Sequence, residues 1–352
     1  MAANTAPIST EDLVRSPAWF PLDVVAPDTV RLVHLDEAAY RESSFLDQRL
    51  LHSGHARAAL APALLQRAAA QLAPRLHFIF HIGHVGSTLV SRLLGAQQQL
   101  FALREPALLR ALADGTLSAQ LPATALPLRS ILALLARTWR PGQRAVVKVS
   151  SFVSELADAI LGSSEQAVAI FMFADPLTYL RTIFAGANSR AESRLLAPSR
   201  LQRLVRRLDA SPWRCEPRSE GEQVALSWLC EMTCLQQAAR ARPGQILWVN
   251  FDQFLAAPRT ALQGMCAALG VPAALAQIDA LLAGPIMQTY SKAPEHAYDA
   301  QLRRELLQEA DRDHAAEIRR ALEWLRCVAS QYPAARAVLE SVEGLRSQAV
   351  SG

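Results

Sequence analysis

Apolar positions along the chain come in two kinds of run. Short unbroken runs end in turn residues, and longer ones recur at helical spacing. The short runs are "LHFIFHI" (76–82), "LFALREP" (100–106), "RAVVKVSS" (144–151), "QAVAIFMFADP" (166–176) and "QILWVNFDQFL" (245–255). Each reads as a strand buried on both faces, the pattern of parallel sheets. Between them lie helical patterns such as "STLVSRLLGA", "FVSELADAIL" and "EQVALSWLCEMTCLQQAARA". Strands alternating with helices predict an α/β fold: three layers around a doubly wound parallel sheet of about five strands, with helical additions.

Two segments stand outside the alternation. Residues 1–75 hold a Pro-rich stretch with short β-like pieces, "SPAWFPLDVVAPDTVRLVHLD", followed by helical patterns, and are expected to form a mostly helical extension packed on a core of 76–352. Residues of about 186–225 are polar and rich in arginine, with Arg190, Arg194, Arg200, Arg203, Arg206, Arg207, Arg214 and Arg218.

Composition narrows the function little. Of 352 residues 51% are hydrophobic and 19% charged, enough for a large core, and the net charge of +4 suits a small anion as well as nucleic acid. Aromatic residues at 6% argue against a stacking surface for single strands, so no nucleic-acid partner is expected. The five cysteines form no C-x-x-C pair, which fits a reducing, cytoplasmic setting. The start "MAANTAPISTEDLVRSPAWF" lacks a charged-then-apolar signal pattern, and no apolar run is long enough to span a bilayer.

The chemistry concentrates in "HFIFHIGHVGSTLVSRLL" (77–94), a strand, a turn and a helix start. In parallel sheets ligands gather at the carboxyl ends of strands, and a helix N-terminus there favours an anion. Gly86 lets the backbone approach such an anion, and Ser87 and Thr88 can donate hydroxyl hydrogens to it. A Walker A loop is excluded: Ser87 stands where its lysine belongs, and His81 where its first glycine belongs. That disfavours nucleoside triphosphate hydrolysis. Three histidines, His77, His81 and His84, fall within eight residues, but on a strand and loop and with no carboxylate or cysteine nearby, so no metal is expected.

Taken together, these motifs resemble the sulfotransferase family. That family moves a sulfuryl group from 3′-phosphoadenosine 5′-phosphosulfate (PAPS) to an alcohol or amine. Gly83-His84-Val85-Gly86-Ser87-Thr88 takes the place of its donor loop, with His84 on the loop lysine. "VVKVSSF" is similar to the strand bearing the family's second lysine, here Lys148, and Ser150 falls on the base histidine of the animal cytosolic enzymes. "AIFMFADPLTYLRTIFAG" is similar to the strand and turn that bind the 3′-phosphate: Asp175-Pro176 match, Thr182 falls on the serine ligand, and Ala174 replaces the arginine. "ILWVNFDQFLAAPRTALQGMCAALGVP" matches a structural stretch of the family.

The resemblance, running from about 77 to 275, implies PAPS as co-substrate, a small-molecule or glycan acceptor, and a divergent bacterial branch. It places Lys148 and His84 at the developing charge and Glu105, before Pro106 in "LREP", as the base. Arg190, in the Arg-rich lid, is a replacement for the arginine absent at 174. Ser291 and Lys292, in the polar run "YSKAPEHAYD", are weaker candidates for a loop that closes on the 3′-phosphate. A small-metabolite kinase with an atypical loop and a non-catalytic nucleotide-binding protein are the alternatives. The oligomeric state is not legible.

Overall fold

The computed structural model describes residues 8–26, 28–122, 124–289 and 299–350, with side chains described to 345. Among the described residues, eight strands form two sheets. β1 (Trp19–Ala26), β2 (Thr29–His34) and β3 (Arg57–Leu60) make an antiparallel sheet in that order. β4 (Leu76–His81), β5 (Leu100–Arg104), β6 (Arg144–Lys148), β7 (Ala169–Phe173) and β8 (Ile246–Asn250) make the central parallel sheet, ordered β5-β6-β4-β7-β8. All five strands read from apolar runs are present, and the fold is the three-layer α/β architecture the alternation predicts.

By its contacts the chain divides into two compact units. The first holds Met1–Ile79, Thr88–Ala169 and Cys266–Ala273; the second holds Phe80–Ser87, Ile170–Met265 and Ala274–Gly352.

In the first unit, β5 and β4 both pair in parallel with β6, so that Arg104 and Ile79 each stand opposite Lys148. Every residue of β4 and β5 is buried, as strands covered on both faces require. The β-like pieces of the N-terminal segment are the β1–β2 hairpin, so this segment carries a sheet as well as short helices. Two buried guanidiniums stitch it down. Arg137 donates to the carbonyls of Leu13, Ser16, Trp19 and Leu134. Arg104 donates to those of Tyr40, Arg41 and Ser43. Burial lowers both from the usual arginine range, Arg137 to about 10 and Arg104 to about 9.

The helices that matter for the site are α1 (Ser87–Gly95), α2 (Pro176–Phe184), α3 (Ala187–Arg207), α4 (Glu220–Ala241), α5 (Phe251–Ala256), α6 (Ala300–Asp313) and α7 (Ala315–Gln331). In the second unit α4 starts in a capping box, with Ser219 and Glu222 each satisfying the other's backbone N–H. Against it packs α3, through Glu231: Arg203 binds that carboxylate with both terminal nitrogens at 3.0 and 3.1 Å, and Arg200 reaches it at 3.4 Å and Ser227 Oγ at 2.9 Å. All three charged groups are buried. The arginine-rich segment is therefore largely a helix held by internal ion pairs. Among the described residues, no helix is long and apolar enough to cross a membrane.

Candidate functional site

The loop leaving β4 is built by three left-handed residues: Gly83 (φ +87°), His84 (φ +54°) and Gly86 (φ +65°). Such a run turns successive amides inward. The Gly83 N–H is taken by His81 Nδ1 at 3.0 Å. The next five amides, from His84 to Thr88, have no hydrogen-bond partner among the described residues. Thr88, only 3% exposed, also has an unpaired hydroxyl, and so does the fully buried Ser91 one turn on. Ser87 is buried beside them in sequence. Unpaired buried donors are costly, and at a helix N-terminus they are arranged as an anion would need them.

Gly86 has a second reason to be glycine. A Cβ there would lie 2.0 Å from the Phe251 ring, at the start of α5. Phe251 stacks on Phe254, and the Arg303 guanidinium lies 5.2 Å over its ring. Substituting Gly86 therefore disturbs packing as well as the path of the loop. At Gly83 a side chain would meet open space.

His84 is 18% exposed and turns its ring toward α3. Its Nδ1 lies 3.3 Å from Ser189 Oγ and its Nε2 3.4 Å from Glu192 Oε2. Neither partner was among the sequence candidates; their three-residue spacing on a helix was the available signal. The other two histidines serve the backbone: His77 Nδ1 accepts from the Val168 N–H at 3.1 Å, and burial lowers its pKa to about 4. Among the described residues, no group of three or more His, Cys, Asp or Glu side chains comes together to hold a metal.

In the first unit, the ends of β5 and β6 bring Lys148 and Glu105 together. Lys148 Nζ, fully buried, donates to Glu105 Oε1, and the Glu105 carboxylate is 18% exposed. The Glu105 N–H continues the ladder to the Lys148 carbonyl at 2.6 Å, with Glu105 itself at φ +51°. A non-glycine residue held there costs on the order of 1 kcal/mol, a strain that concentrates at functional positions. Ser150, two residues past Lys148, is buried with an unpaired hydroxyl.

The remaining candidates are less well placed in this conformation. The Thr182 hydroxyl donates to the Thr178 carbonyl at 2.8 Å, inside its own helix. Arg190 faces Glu220 at 3.8 Å, while its buried Nε has no hydrogen-bond partner. Arg194 is spent on Glu220. Ala174, where the motif would place an arginine, is buried, and its carbonyl accepts from Trp228 Nε1 at 2.9 Å. Asp175 stands at the N-cap position of α2 without a side-chain capping bond, and its Oδ1 accepts from Asn250 Nδ2 at 3.4 Å. Ser291 and Lys292 lie outside the described residues.

No protein-family model matches the sequence, and no curated protein matches it either. Solved structures that the chain resembles are sulfotransferases. One is a sulfotransferase domain from the curacin biosynthetic pathway, at 15% identity over 72% of this chain and 98% of that one, TM-score 0.40. A second is from Alicyclobacillus acidocaldarius, at 14% identity over 70% and 95%, TM-score 0.37. A third is a mouse sulfotransferase complexed with PAP, at 10% identity over 78% and 93%, TM-score 0.40. So loose a likeness carries no argument about ligand or reaction.

Proposed function

We propose that the chain is a sulfotransferase-type enzyme that moves a sulfuryl group from PAPS to a hydroxyl or amine of a small molecule or glycan. The observation that carries this reading is the row of five unpaired amides from His84 to Thr88, joined by the unpaired Thr88 hydroxyl. These groups fit the 5′-phosphosulfate end of such a donor, and the resemblance of the strand, loop and later motifs to sulfotransferases selects sulfuryl over phosphoryl transfer. The absence of a Walker A lysine at Ser87 disfavours a nucleoside triphosphate as donor.

The donor brings an activated sulfuryl group; the chain supplies the rest. The loop amides, with Ser87 and Thr88, hold the phosphosulfate oxygens. His84, when protonated, adds charge where the leaving oxygen becomes negative. Lys148 ends β6, which pairs with β4, and Glu105 follows β5, which pairs with β6. Glu105 takes the acceptor proton, and the Lys148 ammonium holds its carboxylate in place. Arg190, through its unpaired Nε, is the group for the 3′-phosphate, with Thr182 once its hydroxyl leaves Thr178.

The test is calorimetry with adenosine 3′,5′-bisphosphate, ATP and inorganic phosphate, followed by a transfer assay with labelled PAPS. Micromolar binding of the bisphosphate with at least tenfold weaker ATP supports the reading. ATP binding as tight as the bisphosphate would turn it toward a kinase. Bisphosphate binding without sulfuryl transfer to any of a panel of alcohols, amines and glycans would mark a binding protein.

A further inference from the structure

The five cysteines take no part in the proposed chemistry, yet two of them meet. Cys215 lies in the stretch joining α3 to α4, and Cys327 in the last turns of α7, both within the second unit. Three contacts press this stretch against the end of α7. Trp324 Nε1 donates to the Cys215 carbonyl at 2.9 Å. Trp213 stacks on Tyr332 with ring centroids 5.0 Å apart, and the Arg214 N–H donates to the Tyr332 hydroxyl at 3.3 Å. Cys327 stands between Trp324 and Tyr332 in sequence, so the same contacts bring its thiol near that of Cys215, and the two interact electrostatically.

We propose that Cys215 and Cys327 are an oxidant-sensitive pair that closes into a reversible disulfide. The two thiols differ in the way such a step needs. Cys327 is the exposed one of the five, and Gln331 Nε2 donates to its sulfur at 3.4 Å. Cys215 is 5% exposed, and burial, then the neighbouring Cys327, push its pKa up to about 11. Cys327 is thus the thiol that a small peroxide reaches, and Cys215 the one that resolves it. Cys230, Cys234 and Cys266 are buried, so none of them is the thiol that a peroxide reaches first.

In the first step the Cys327 sulfur attacks one oxygen of hydrogen peroxide. An S–O bond forms, the O–O bond breaks, and the departing oxygen leaves as water with the thiol proton. In the second, the Cys215 sulfur attacks the sulfenic sulfur of Cys327. The S–S bond forms, the S–O bond breaks, and a second water leaves with the Cys215 proton. Two thiols are oxidised and one peroxide is reduced to two waters. A dithiol reductant reverses the change.

The experiment treats the full chain with stoichiometric hydrogen peroxide, alkylates the remaining thiols, and maps the peptides by mass spectrometry. The expected result is a loss of two of the five alkylatable thiols, one joined peptide pair containing Cys215 and Cys327, and recovery of both thiols with dithiothreitol. C327S, a substitution at an exposed position, should abolish the loss, and C215S should leave Cys327 as a sulfenic acid that dimedone traps. If C215S does not fold, the wild-type map decides by itself. A Cys327 that proceeds to sulfinic acid while Cys215 stays alkylatable overturns the proposal, as does a crosslink between two chains or one that involves Cys230 or Cys234.

Discussion

The loop between β4 and α1 and the pair at the ends of β5 and β6 treat polar groups in opposite ways. From His84 to Thr88 the loop leaves five amides and a buried hydroxyl unpaired. Lys148 and Glu105 spend their charges on each other. Open donors cost stability until a ligand pairs them, so they mark where binding energy is gained. A closed ion pair gains little from a ligand but holds an ammonium and a carboxylate in fixed positions, which is what proton transfer needs. On the proposed function the first region serves affinity and the second turnover, and each variant below should separate those two properties.

The largest effect is expected at Gly86. G86V drives a side chain into the Phe251 ring and should cost roughly 3 kcal/mol or more, because overpacking adds to the strain of a branched residue at positive φ. Urea denaturation of G86A, F251A and the double variant tests the cause. If Phe251 is the obstacle, the double variant is more stable than the sum of the single losses allows. Strict additivity would leave the backbone angle as the main reason for the glycine.

Breaking the closed pair should be asymmetric. E105A leaves a fully buried ammonium, and K148A leaves a carboxylate that still reaches water. Removing one partner of a buried pair costs about 3 kcal/mol or more, so E105A should sit at or above that figure and K148A below it. Both should lower kcat far more than they weaken bisphosphate binding. A K148A that is less stable than E105A would show that burial does not set the order.

Also on the order of 3 kcal/mol is the pH dependence contributed by His77, whose pKa is depressed from 6.5 to about 4. Between these values the unfolded chain binds a proton that the folded chain does not. Stability is fully present above pH 6.5 and is lost as the pH falls toward 4. H77N, which keeps an acceptor near the Val168 amide, should flatten this limb in denaturation measured from pH 7 to 4; an unchanged limb would assign it to other groups.

The open loop should respond more gently. H84A removes the ring that stands between the loop and Glu192, and should weaken bisphosphate binding about tenfold by leaving a carboxylate to repel the anion. H84A/E192A should recover part of that loss in calorimetry; no recovery would mean that His84 contacts the ligand itself. Smallest of all, R194A breaks a half-exposed pair with Glu220 and should change stability by about 0.5 kcal/mol or less, whereas R203A strips a buried partner from Glu231 and should unfold the chain at clearly lower urea.

The five central strands and the glycine-hinged loop were legible in the sequence because their signals are local: an unbroken apolar run, a turn residue, a hydroxyl at a helix start. The β1–β2 hairpin was visible only as β-like pieces, since its bulged register interrupts the alternation. What the sequence could not reveal is who meets whom. Lys148 finds Glu105 across 43 positions and His84 finds Ser189 across 105. Gly86 meets Phe251, and Cys215 meets Cys327, over comparably long stretches. The order β5-β6-β4-β7-β8 and the packing of α3, α5 and α7 decide these contacts. Apolar periodicity determines which residues are buried, because burial depends on each residue's own transfer from water. It leaves open which buried neighbours share a contact, because that depends on how separate elements pack.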